Sequence, residues 1–102
     1  MFAVPSGPPV SVRHSNLTSR SLSLQWEPPV TSQQNGFIRN YTVEIEGVDT
    51  AHRTSRISPS FSLTEWGLHP YTRYRCRVAA HTSVGRGPFS GYITVLTSED
   101  GE

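Results

Sequence analysis

A chain of 102 residues holds one domain, and no stretch approaches the roughly 20 consecutive apolar residues that cross a bilayer. Its nine basic residues, all arginine, stand against eight acidic ones, a balance that gives no electrostatic grip on nucleic acid. The absence of lysine excludes Schiff-base chemistry and lysine-dependent phosphate loops. In chain order, residues 1–7 read as a linker. The opening MFAVPSGPP has neither a basic start nor an apolar run, so it is not a signal peptide, and Met1 reads as an added start. Residues 9–13 form a short candidate strand. In SLSLQW, residues 21–26, the large apolar side chains are Leu22, Leu24 and Trp26. In NYTVEIEG, residues 40–47, Tyr41, Val43 and Ile45 alternate with Asn40, Thr42, Glu44 and Glu46. Two further short strands are expected over 51–56 and 60–64.

In YRCRVAA, residues 74–80, the inward set is Tyr74, Cys76, Val78 and Ala80, against Arg75, Arg77 and Ala79. In YITVLT, residues 92–97, Ile93 and Val95 point in while Tyr92 and Leu96 point out. Successive strand side chains project to opposite faces, so each segment has one dry face and one wet face. The punctuation agrees. Pro28-Pro29 stops one strand, Asn35-Gly36 supplies a tight turn, and Gly85, Gly87 and Pro88 break the chain before the last strand. Residues 98–102 read as a second linker. No segment shows helical periodicity. Seven short strands with turns between them predict an all-β chain, a seven-stranded antiparallel β-sandwich.

The single cysteine, Cys76, rules out a disulfide within the domain. It alternates in phase with Tyr74 and Val78, which makes it a small buried hydrophobe and not a reactive thiol.

The order and spacing of several motifs resemble the fibronectin type III domain over residues 8–97. They are Pro8-Pro9, then Leu22-Ser23-Leu24-Gln25-Trp26-Glu27-Pro28-Pro29, Asn35-Gly36-Phe37-Ile38 and Tyr41-Thr42-Val43. Leu68-His69-Pro70-Tyr71-Thr72-Arg73-Tyr74 follows, with Val78, Ala80, Gly85, Gly87, Pro88 and Ser90 after it. The resemblance implies an immunoglobulin-like sandwich with the buried tryptophan on the second strand, where Trp26 falls. An immunoglobulin domain has its tryptophan on the third strand against a disulfide. By the same resemblance Tyr74 is the tyrosine-corner residue, its hydroxyl bonded near Leu68 to Pro70. The chain departs from the family at Glu65, which stands where an apolar residue is usual. Phe61 and Leu63 are therefore expected to supply that strand's core, with a bulge or longer turn near Trp66 and Trp66 partly buried.

No constellation for catalysis is present. His14, His52, His69 and His81 lie too far apart to grip a metal, and no cofactor site is read. Gly87-Pro88-Phe89-Ser90-Gly91 has phenylalanine where a nucleophile elbow needs serine. The loop before the last strand offers Arg86-Gly87-Pro88 in place of the integrin-binding Arg-Gly-Asp of some relatives. Phe89-Ser90 is a poor remnant of a Trp-Ser-x-Trp-Ser box.

The arginines support two readings. Arg75 and Arg77 face the same way as Glu44 and Glu46 on a neighbouring strand, so a ladder of exposed ion pairs is the preferred one. The sharper one joins Arg39, Arg53, Arg75 and Arg77 into a stripe for sulfated glycan or an acidic partner, with Tyr92 and Leu96 completing a partner face. Asn16-Leu17-Thr18 and Asn40-Tyr41-Thr42 are glycosylation sequons, and a glycan on Asn40 would shield that face. The expected role is a non-catalytic adhesion or spacer module in the extracellular part of a membrane protein, among neighbouring domains of the same chain and with a protein partner. No contact of this domain with nucleic acid or membrane is expected. The alternatives are a glycosaminoglycan-binding domain and an intracellular type III domain of a cytoskeletal or muscle protein.

Overall fold

A computed structural model describes residues 3–100; the first two and last two residues, which fall in the two predicted linkers, lie outside the described residues. Eight strands form: β1 (Val10–Leu17), β2 (Ser21–Glu27), β3 (Asn40–Gly47), β4 (Arg53–Ser58), β5 (Ser62–Trp66), β6 (Arg73–His81), β7 (Arg86–Phe89) and β8 (Ile93–Leu96). One sheet has the order β1-β2-β5; the other runs β4-β3-β6-β7, with β8 also paired to β6. All pairings are antiparallel. A single turn of 3-10 helix over Thr31–Gln33 interrupts the connection from β2 to β3.

Alternation places the core. Leu22, Leu24 and Trp26 from β2 meet Tyr41, Val43 and Ile45 from β3 and Tyr74, Cys76 and Val78 from β6, all of them buried. Burying each large side chain of this kind contributes about 1.5–3 kcal/mol. The ring of Trp26 meets that of Tyr41 edge-on, with centroids 5.5 Å apart, which joins the two sheets towards one end of the layer. At the far end the Tyr74 hydroxyl accepts a hydrogen bond from the His69 N–H at 2.9 Å, closing a tyrosine corner over the buried Leu68. The turn before β3 has the positive angles that its residues favour, φ 58° at Asn35 and 147° at Gly36.

Eight strands stand where seven were expected, because the segment read as a break pairs with β6. Strand β7 lies at the sheet edge, so the missing N–H of Pro88 leaves no ladder bond unmade. Gly87 is required there: a Cβ would lie 2.7 Å from the Pro5 Cβ and 2.8 Å from the Pro5 carbonyl oxygen. After the strand ends at Phe89, the Ser90 hydroxyl accepts from the Val78 N–H at 3.0 Å while the Ser90 N–H donates to the Val78 carbonyl at 2.8 Å. Strand β1 runs past its expected end to Leu17, through register shifts between Val10 and Arg13 and between His14 and Asn16. Strands β4 and β5 lie two residues later than expected.

The expectation for β5 is corrected. Its register with β2 is regular from Ser21 opposite Trp66 to Gln25 opposite Ser62, with no bulge. Leu63 packs against the core, but Phe61 is 55% exposed and Trp66 is 72% exposed. The inward position goes to Glu65, 4% exposed, whose carboxylate is held by Arg56 of β4 through Nε at 3.0 Å and Nη2 at 3.1 Å. A bidentate guanidinium from the opposite sheet lets an acid occupy a core position without an unmatched charge. The pair ties the two sheets together across their β4–β5 edge.

Removing one partner of this pair differs from removing its charge altogether. Arg56→Ala strands the buried Glu65 carboxylate and should lower the urea midpoint, whereas Arg56→Leu combined with Glu65→Leu, which removes both charges, should be neutral or stabilising.

Candidate functional site: the outer face of the five-stranded sheet

Strands β3 and β6 pair without interruption from Asn40 opposite His81 to Gly47 opposite Tyr74. That register sets Glu44 opposite Arg77 and Glu46 opposite Arg75, while Arg53 of β4 lies opposite Glu46 on its other side. The ion pairs follow from it. Arg77 Nε donates to Glu44 Oε1 at 2.8 Å, Arg75 Nε donates to Glu46 Oε2, and Arg53 Nη2 lies 3.1 Å from Glu46 Oε1. Glu46 thus serves two arginines. Its carboxyl is held below the ordinary range, chiefly by the Arg75 hydrogen bond and then by the two positive charges.

Aromatic rings continue the array. The Arg75 guanidinium lies 4.4 Å above the Tyr92 ring; that of Arg77 lies 4.1 Å from the Phe89 centroid and 4.9 Å from that of Tyr92. Arg86 covers the other contact to Phe89 at 4.5 Å. Stacking of this kind adds a fraction of a kcal/mol per contact at exposed sites, about 0.5–1. It also fixes long side chains that would otherwise sample many rotamers. Between the strands lies an open hollow of about 360 Å³ bordered by Glu44, Glu46, Arg53, Arg75, Arg77 and Tyr92.

Not every residue assigned to the partner face belongs to this array. Arg53, Arg75, Arg77 and Tyr92 come together. Arg39 lies at the other end of β3, its N–H bonded to the His81 carbonyl. Leu96 lines a separate hollow with Asp49, Tyr71 and Arg73. Arg86 and Phe89 also belong to the array, although the sequence does not assign them to the partner face, because the glycines and proline around them read as a break and not as β7. The signal was present in Phe89-Ser90, two residues set aside as a remnant of another motif. Further along the face, Thr42 bonds the His81 ring, and burial followed by the charge of Arg86 pushes the His81 pKa down.

Asn16 is exposed on β1 opposite Ser23, and Asn40 is half-buried at the start of β3. Among the described residues there is no group of three His, Cys, Asp or Glu side chains that could hold a metal, and no helix long and apolar enough to cross a membrane. Cys76 is buried and unpaired; burial, with the nearby Glu65 carboxylate, pushes its thiol up to about 12.

The fold defines the class: an immunoglobulin-like β-sandwich with its core tryptophan on the second strand and no disulfide among the described residues. The family model for the fibronectin type III domain matches residues 7–96, and the chain belongs to that family. It is 42% identical over 93 residues to the receptor-type tyrosine-protein phosphatase F of Rattus norvegicus, a match covering 91% of this chain and 5% of the relative. It is 33% identical over 106 residues to the cell adhesion molecule Dscam2 of Drosophila melanogaster, covering 98% of this chain and 5% of that protein. The chain therefore spans about 5% of the length of these curated relatives. Among solved structures, the FN5 domain of Drosophila Lar superposes with a TM-score of 0.76 at 28% identity, covering 95% of this chain and all of that one. Domains A168–A170 of titin match with a TM-score of 0.82 at 26% identity, over 94% of this chain and 33% of that one.

The thiol gives a direct check on the packing. A maleimide reagent at neutral pH should label Cys76 no faster than the domain unfolds, and labelling should rise in step with loss of structure in urea.

Proposed function

We propose that the chain is a non-catalytic extracellular bead in a tandem array of a larger receptor or adhesion protein. It sets distance between its neighbours and offers the outer face of the five-stranded sheet to a protein partner. One observation carries this reading: the chain enters at one pole and leaves at the other. Ala3 donates its N–H to the Asn35 carbonyl at 2.9 Å and accepts from the Thr82 hydroxyl at 2.7 Å. Ser98 bonds Thr18 and Tyr71 at the opposite end, and Arg20 grips Asp100 at 2.7 Å. With extents of 54 × 23 × 18 Å, such a unit extends an array along its own long axis. The similarity to repeats of receptor-type phosphatases and of an adhesion molecule supports the cell-surface setting.

The partner is read as a protein and not a sulfated glycan. Glu44 and Glu46 already engage Arg53, Arg75 and Arg77, so the face holds mixed charge and stacked aromatics in place of a bare cationic strip.

Two measurements test the proposal. Arg75→Ala with Arg77→Ala should leave folding intact, weaken adhesion of domain-coated beads to cells bearing the partner, and change heparin retention little at about 0.15 M salt. Strong retention that the double substitution abolishes would replace this reading with the glycan one. Mass spectrometry of native material should find glycan on Asn16; unmodified Asn16 and Asn40 would weaken the extracellular reading.

A further inference from the structure

At the pole where the chain enters, the Tyr41 ring is enclosed between Trp26 and Phe61, with centroid distances of 5.5 and 6.0 Å. The residue is 2% exposed, and its hydroxyl is buried with no hydrogen-bond partner among the described residues. Buried hydroxyls almost always have one, because an unmade bond leaves the full desolvation penalty uncompensated. Burial pushes the Tyr41 pKa up, so the group stays protonated and remains a donor.

The same ring borders a groove of about 250 Å³ whose walls include Pro28, Ile38, Pro59 and Phe61. Arg39 is the one charged residue on its lining, and no carboxylate among the described residues lies within 4.0 Å of it. The groove therefore combines an apolar floor, an uncompensated positive charge at the rim and a buried donor in want of an acceptor. These three features select one chemistry.

We infer that this groove is a second binding site, taking an extended acidic segment of a partner protein that lays an apolar side chain on Phe61 and sets a carboxylate against Arg39. A carbonyl of the segment accepts the Tyr41 hydroxyl proton in a hydrogen bond. Phe61, half exposed and in contact with the Tyr41 ring, is the side chain that turns aside to admit it. The site lies apart from the arginine array and uses none of its residues.

Phenylacetate, an aromatic ring bearing a carboxylate, is a minimal probe, and phenethylamine is its charge-reversed control. Titrated into the labelled domain, phenylacetate should shift the amide resonances of Ile38, Arg39, Tyr41 and Phe61, and phenethylamine should not. Arg39→Ala should weaken the response about tenfold, the scale of a lost charge-assisted bond. Tyr41→Phe should also weaken it while leaving the melting temperature of the free domain unchanged or raised, since no internal hydrogen bond is lost. Equal shifts with both compounds, no shifts at these amides, or shifts centred on Arg75 and Arg77 would overturn the inference. So would a fall in melting temperature for Tyr41→Phe, which would place a partner for the hydroxyl inside the domain.

Discussion

The structure depends on one dry layer in which two sheets press together without a covalent tie. Trp26 meets Tyr41 across it, and the buried side chains of β2, β3 and β6 make up most of its volume. In a domain of this size nothing else supplies comparable stabilisation: the exposed ion pairs are each worth a fraction of a kcal/mol and are weakened by salt. Cys76 belongs to this layer as a space-filling group. Its partnerless position shows that packing alone holds a sandwich that elsewhere is bolted by a bridge.

The layer fixes the outer surface. Because Tyr74, Cys76 and Val78 must point inward, Arg75 and Arg77 have to point outward, and the uninterrupted register with β3 then delivers them to Glu46 and Glu44. The arginine array is a consequence of core alternation. A slip of one residue between β3 and β6 would bury the charges and expose the core, so the same force that sets the fold also sets the surface chemistry. The broken last strand adds the rings. On either side of the break, Phe89 and Tyr92 lie against the guanidinium groups of Arg77 and Arg75.

Long alternating segments were legible in the sequence for this reason: in β2, β3 and β6 the period of two is imposed by burial and survives any local detail. Two places were not. At β5 the inward acid looked like a departure, because its compensation comes from Arg56 on the opposite sheet, a contact between strands that no local pattern contains. At β7 the glycine and proline that usually end strands were there for an edge position and for close approach to Pro5. The candidate site divided in the same way. Arg53, Arg75 and Arg77 followed from alternation, whereas Arg86 and Phe89 required the pairing of a strand that composition argued against, and Arg39 was separated from the others by the length of β3.

The opposed exits of the chain also determine how the domain meets a pulling force. Tension between its ends runs parallel to β1 and β8, the strands nearest the two exits. Each must slide along its neighbour, and in that loading many rungs share the strain at once where peeling would break them singly. The cation–ring contacts of Arg75 and Arg77 bridge β6 to the segment around β8 and would have to shear in the same movement. A domain of this topology takes such a load as shear along whole strands, not rung by rung.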